Sequence, residues 1–254
     1  MTAAPLHFMG ERLMLTPEGA LFWPAHGLLA VADLHLEKGS AAAGRGQLVP
    51  PWDTRETLDL LGNLLRRYRP QTVVALGDSF HDKDGASRLQ TGDAARLATL
   101  ARSSRFVWVL GNHDPAPQSA MAGETVDAFS TGPLVFRHEA HADGRGEISG
   151  HFHPKAAVPV RGATVSRPCF VADGRRIVLP AMGAYTGGLD VRDPAIAGLF
   201  PRGGQIFLLG RERLFRFPLA ARRVSKVAEP PAPETRLFPD PPQRPMGRRA
   251  DTGR

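Results

Sequence analysis

Five short stretches of the chain place acidic, amide and imidazole side chains at close spacing: "DLH" at Asp33 to His35, "GDSFHD" at Gly77 to Asp82, "GNHD" at Gly111 to Asp114, a single histidine at His138, and "GHFH" at Gly150 to His153. Asp33, His35, Asp78, Asn112, His138, His151 and His153 are oxygen or imidazole donors of the kind that hold divalent transition metals. Each stretch alone has an ordinary explanation. Asp33 and His35 could form a turn and a core histidine, Asp78 could cap a helix, and Asn112 could close an Asx-turn. Together they suggest a metal centre, provided the fold brings them to one place.

Elements that could do so are visible around them. "ERLMLTPEGALFW" reads as a hairpin about Thr16-Pro17-Glu18-Gly19, and "GLLAVADLH" as a buried strand ending at Asp33. A helix follows, capped by Asp53 with Glu56 three residues on, with Leu58, Leu61 and Leu65 on one face and Pro70 beyond its last turn. "TVVALG" is then a strand reaching Asp78, "DAARLATLARS" a second helix, and "RFVWVLG" a strand reaching Asn112. Shorter strands follow in "PLVFRH", "GEISGH", "RIVLP" and "GQIFLL". Strands alternating with helices predict an α/β sheet, in which ligands bind outside the carboxyl ends of the strands. The donor clusters fall at those ends. Within "GHFH" a regular strand would put His151 and His153 on one face and Phe152 on the other.

The five blocks, in this order, resemble the calcineurin-like metallophosphoesterase superfamily, whose pattern is D-x-H, G-D-x-x, G-N-H-[DE], a separate H, and G-H-x-H. They span roughly Asp33 to His153. The flanks "ADLHLEKG", "PPWDTRETL", "ALGDSFHD", "EISGHFHPKA" and "RPCFVADGRRIVLPAMGAYTGGLDV" are similar to the bacterial ligase-associated DNA-damage-response phosphoesterases, as far as about Asp193. The resemblance implies a four-layer αββα sandwich with a binuclear metal site. It implies that Asp33, His35 and His153 hold the first metal, that Asp78 bridges, and that Asn112, His138 and His151 hold the second. His138 is preferred to His141, three residues later, because it ends the strand "PLVFRH". The resemblance also implies that His113 is a general acid or electrostatic partner of the scissile phosphate, with Asp114 orienting its ring. Paired divalent cations generate a nucleophile from water near neutral pH and stabilise charge on the phosphate. Manganese suits the mixed donors, as do iron and zinc.

Other residues narrow the substrate. Phosphoprotein phosphatases of the superfamily carry an arginine after "GD", where this chain reads "GDSFHDKDG". His81 stands there instead, either contacting a phosphate substituent or leaving group, or buttressing the loop through Asp82. Lys38 and Arg45 either bind phosphates or belong to an exposed loop, "GSAAAGRGQ". The chain has 254 residues and a formal charge of +7, which favours a polyanionic partner. From Ala221 to Arg254 eight basic residues face four acidic ones, so more than half the excess is in this Pro-rich segment. Residues 1–220 are expected to form the catalytic domain and 221–254 a disordered tail that either solubilises the protein or tethers nucleic acid. Cys169, the single cysteine, excludes an intrachain disulfide and reads as a core residue. No apolar run approaches the roughly 20 residues that span a bilayer, and a cytoplasmic location is expected.

The function expected is metal-dependent hydrolysis of phosphodiesters in DNA, by a single-strand-preferring endonuclease of a repair cluster. By resemblance its partners would include a DNA-repair ligase and helicase. The alternatives are a small-molecule phosphodiesterase or nucleotide pyrophosphatase, and a non-catalytic DNA-binding accessory protein. The intact set of donors, with His113 and Asp114, argues against the last.

Overall fold

The computed structural model describes residues 1–47, 49–117, 120–160 and 162–221; the expectation for the tail lies, beyond Ala221, outside the described residues. Strands β1 (Ala4–Phe8), β2 (Glu11–Leu15) and β3 (Leu21–Trp23) form an antiparallel ribbon, with Leu15 opposite Leu21 in the expected hairpin. Its turn is closed by Thr16, whose amide donates to the Ala20 carbonyl while its hydroxyl accepts from the Ala20 amide. β4 (Leu28–Ala32) pairs with β3 and then begins a parallel series with β5 (Thr72–Leu76), β6 (Arg105–Val109) and β7 (Glu124–Val126). Helices α1 (Lys38–Gly44), α2 (Asp53–Tyr68), α3 (Gly85–Arg88) and α4 (Thr91–Arg102) lie in the crossovers.

The second sheet contains β8 (Ala128–Thr131), β9 (Leu134–Arg137), β10 (Glu147–Ser149), β12 (Ala163–Ala172), β13 (Arg176–Val178), β14 (Gly204–Leu209) and β15 (Leu214–Leu219), with β11 (Lys155–Val160) paired to β12. Its order is β15, β14, β12, β13, β10, β9, β8. β10 runs parallel to both β9 and β13, so the His138 and "GHFH" segments leave the sheet at the same end.

The period of two along β4 explains the layering. Leu28, Ala30 and Ala32 face the second sheet and pack with Phe136, Ile148, Phe170 and Phe207, whereas Leu29 and Val31 face Leu58, Leu61 and Leu65 of α2 and Leu97 of α4. Each fully buried leucine, isoleucine, valine or phenylalanine among them contributes about 1.5–3 kcal/mol. A third cluster covers the outer face of the second sheet, where Cys169, Val171 and Leu208 meet Ile196 of α5 (Pro194–Ala197) and Phe200. The architecture is the expected α/β sandwich of two facing sheets, with its fourth layer reduced to this short helix and neighbouring loop residues.

Two local expectations are corrected. Asp53 does not cap α2: Trp52 holds the cap position without a side-chain bond, and Asp53 instead accepts from the Gly39 amide at 3.0 Å. The segment after Glu37 is a helix, α1, rather than a loop, because its alanines favour helix and Gly39 lets it approach Asp53 closely.

Candidate metal centre

Three of the donor loops depart from their strands through an unusual backbone turn. Asp33, His35, Asp78, His151 and His153 all have positive φ, between 42° and 69°. Such conformations cost about 1–3 kcal/mol each in residues other than glycine, and persist only where the surroundings enforce them. Here the pairing of β4 with β5 continues past the strand ends: His35 N donates to Asp78 O and Leu36 N to Ser79 O, both at 2.9 Å. The next loop is held by Asp114. Its carboxylate accepts from the amides of Ser79 (2.8 Å), Phe80 (3.1 Å) and Gly111 (3.2 Å). From the second sheet, the His151 amide donates to both oxygens of Asp33 at 3.1 and 3.0 Å.

The seven expected donors converge as two groups. In the first, His35 Nε2 lies 3.2 Å from His153 Nε2, His153 Nε2 is 3.6 Å from Asp33 Oδ1, and His35 Nε2 is 3.8 Å from Asp78 Oδ2. In the second, His138 Nε2 lies 2.9 Å from Asn112 Oδ1, 3.0 Å from His151 Nδ1 and 3.5 Å from Asp78 Oδ1. Asp78 thus turns one oxygen to each group. His141, passed over in favour of His138, instead meets Arg137.

The chemistry of these contacts fits cations. His138 Nδ1 donates to the Leu76 carbonyl at 3.1 Å, which turns Nε2 toward Asn112 Oδ1 and the Asp78 carboxylate, where a cation would find all three as donors. Burial, and then the neighbouring His153 and His113, lower the His35 pKa to about 2, so that its imidazole stays neutral. Burial and His138 likewise lower His151. Asp33 and Asp78 are almost fully buried, and among the described residues neither pairs with a lysine or arginine. Buried carboxylates among converging lone pairs require positive charge, which two divalent cations would supply.

"GHFH" reaches both groups by a different route from that expected. β10 ends at Ser149, and the two left-handed histidines turn to different groups, His151 to the second and His153 to the first, while Phe152 packs under the second sheet. The role given to Asp114 is also corrected, since its carboxylate is engaged by backbone amides; burial pushes it up to about 6 against the pull of those amides. The His113 ring is oriented by the His81 carbonyl, which accepts from Nδ1 at 2.7 Å and leaves Nε2 free, 4.0 Å from Asp78 Oδ2. Both orienting carbonyls, of Leu76 and His81, belong to the backbone and leave no mark in the sequence.

Among the remaining expected residues, His81 stacks on His113 with ring centroids 5.4 Å apart, and its Nε2 lies 3.3 Å from Arg45 Nη2. Asp82 pairs with Arg88 at 2.8 Å. His81, His113 and Arg45 therefore border the first group on one side. Lys38 opens α1 nearby.

Two glycines are required by close approach. A Cβ on Gly77, whose φ is +68°, would lie 2.2 Å from His138 Nδ1, and one on Gly111 would lie 2.2 Å from the Asp78 amide. Gly111 is thus needed for the space it leaves to Asp78, beyond any sharpness of the turn.

A site of this kind, set at the strand ends of a two-sheet α/β sandwich, defines a metal-dependent phosphoesterase. Residues 27–163 match the family model described as calcineurin-like phosphoesterase, and the chain belongs to that family. Among solved structures it is similar to the nuclease MPE of Pseudomonas putida, at 27% identity and a TM-score of 0.65, over 84% of this chain and 100% of that one. It is more distantly similar to the phosphoesterase YfcE of E. coli, at 14% identity and a TM-score of 0.37, over 76% and 98% of the two chains. A search of the curated proteins gives no match. Among the described residues no helix is long and apolar enough to cross a membrane.

Proposed function

We propose that the protein is a manganese-dependent, single-strand-preferring DNA endonuclease of a cytoplasmic repair system, working with a ligase and a helicase. The likeness to a nuclease over that protein's full length carries the choice of a polynucleotide over a small diester. Asp33, His35 and His153 would hold one cation, Asn112, His138 and His151 the other, and Asp78 both. When bound, the pair supplies Lewis-acid activation of water and of the phosphate. In the chain's own part of the reaction, His113 stands with Nδ1–H anchored to the His81 carbonyl. Its protonated Nε2 delivers a proton to the oxygen that leaves phosphorus as the P–O bond breaks. His81, stacked on His113 and next to Arg45, is assigned with that arginine to contact the rest of the substrate.

The test compares single-stranded DNA, duplex DNA, RNA and an aryl phosphodiester as substrates of the full-length protein with manganese. Single-stranded DNA is expected to be cut fastest, with activity lost on chelation or in Asp78→Ala. An undiminished aryl-ester rate after exhaustive EDTA treatment would overturn the metal mechanism. Turnover of the aryl ester without cleavage of any polynucleotide would overturn the DNA reading.

A further inference from the structure

Four of the seven large hydrophobic side chains exposed among the described residues stand in two segments: Val49 and Trp52 ahead of α2, and Tyr185 and Leu189 in the loop that follows β13. Both segments are fastened to the first turn of α2. Trp52 immediately precedes that turn, and the Ala184 amide donates to the Thr57 hydroxyl at 3.1 Å, placing Tyr185 one residue beyond the anchor. The same loop borders the donors. Gly183 N donates to the Asp33 carbonyl at 3.1 Å, and Gly188 lies against the His153 carbonyl so closely that a Cβ would come within 2.2 Å of it. Trp52 is 55% and Tyr185 41% exposed, and Tyr185 holds a φ of +58° that an aromatic residue rarely adopts.

Two lysines stand on neighbouring segments. Lys155 reaches the Thr186 carbonyl next to Tyr185 at 3.3 Å, and Lys38 is within electrostatic reach of Lys155 and Arg45 as well as of Asp53. Asp53 is buried and bonded to Gly39; Glu56 is the exposed acidic residue near Tyr185. Exposed flat rings with lysines on neighbouring segments match the chemistry of an unpaired nucleic-acid strand, whose bases stack while its phosphates pair with cations. A duplex offers no free base faces to such rings.

We propose that Trp52 and Tyr185 are a stacking platform for the bases of a single-stranded polynucleotide, with Lys38 and Lys155 holding its phosphates on the approach to the first donor group. This rests on the DNA reading and supplies the physical basis of its strand preference.

Trp52 also provides the probe, because the other tryptophans, Trp23 and Trp108, are fully buried. With manganese present, a phosphorothioate thymidine oligomer of roughly 12 nucleotides, within the range such grooves accommodate, should quench the fluorescence of the full-length protein. An abasic oligomer of the same length should not. Anisotropy with the labelled oligomer should show binding about 5- to 150-fold weaker in Trp52→Leu and in Tyr185→Leu, which keep an apolar side chain but remove the π-face. Trp52→Phe should restore most of the affinity, a rescue that a purely structural role for Trp52 would not predict. Melting curves would show whether the variants remain folded. Wild-type affinity in both leucine variants, or equal quenching by the abasic strand, would overturn the platform and leave the DNA reading standing. Failure of the wild-type protein to bind the oligomer at all would overturn both.

Discussion

His113 has its ring held at Nδ1 by the His81 carbonyl, and the role proposed for it is that of a proton donor rather than a ligand. His113→Ala should therefore retain both metals while slowing DNA cleavage by about 10²–10⁴-fold, the range for removal of a general acid. The defect should be smaller with an aryl ester, whose leaving group needs less protonation; metal content by atomic spectroscopy and the two rates measured side by side check this. Metal loss, or equal defects on both substrates, would contradict the role. Cys169 presents the opposite case, a reactive side chain made inert. Burial, with a smaller contribution from Asp190, pushes its thiol up to about 12, and it lies fully enclosed between Val171 and Leu208. Native protein should resist a disulfide thiol reagent at pH 8 and react fully once unfolded. Rapid labelling of the native state would show that the cluster around Cys169 opens.

At the level of elements, the centre depends on how closely the strand-end loops approach one another. Gly111→Ala should drive a methyl group into the Asp78 backbone and carboxylate, displacing the side chain shared by both donor groups. Binding of both metals and hydrolysis should fall together while the circular dichroism stays native; full metal content would show that the loop relaxes instead. Much of this level was legible in the sequence. Apolar runs of period two and the leucine face of α2 gave the strands and the helix, and the donor blocks fell at strand ends as the α/β pattern requires. What escaped depends on interactions distant in the chain. The cap expected of Asp53 was pre-empted by the Gly39 amide, 14 residues away, and the Asp114 carboxylate was taken by amides as far as 35 residues away. The left-handed turns at His151 and His153 were hidden because histidine spacing alone does not report φ. The exposure of Tyr185 and Trp52 likewise depends on which loops fold over them.

At the scale of the whole molecule, net charge is the property most open to experiment. If the Pro-rich segment from Ala221 tethers nucleic acid, its removal should weaken DNA binding and spare small-ester turnover, since every donor precedes Pro154. For every single-strand phosphate that the segment neutralises, truncation should flatten the slope of log K against log salt by about 0.7. Equal slopes and affinities with and without the segment would assign DNA binding to the remainder of the chain. The paired donor groups have a separate consequence for the molecule's kinetics. Each draws ligands from the loops of both sheets: Asp33, His35, Asp78 and Asn112 follow strands of the first, and His138, His151 and His153 follow strands of the second. A bound cation is therefore a cross-link added to the apolar packing and the few hydrogen bonds that join the two sheets, and it can close only after they have docked. For each cation site, manganese at 100 times that site's dissociation constant should slow unfolding about 100-fold and leave the refolding rate nearly unchanged, because the interaction is absent from the transition state. Stopped-flow unfolding and refolding with and without the metal would measure it. Refolding accelerated by that factor would instead mean that the cation gathers its ligands early and recruits one sheet to the other.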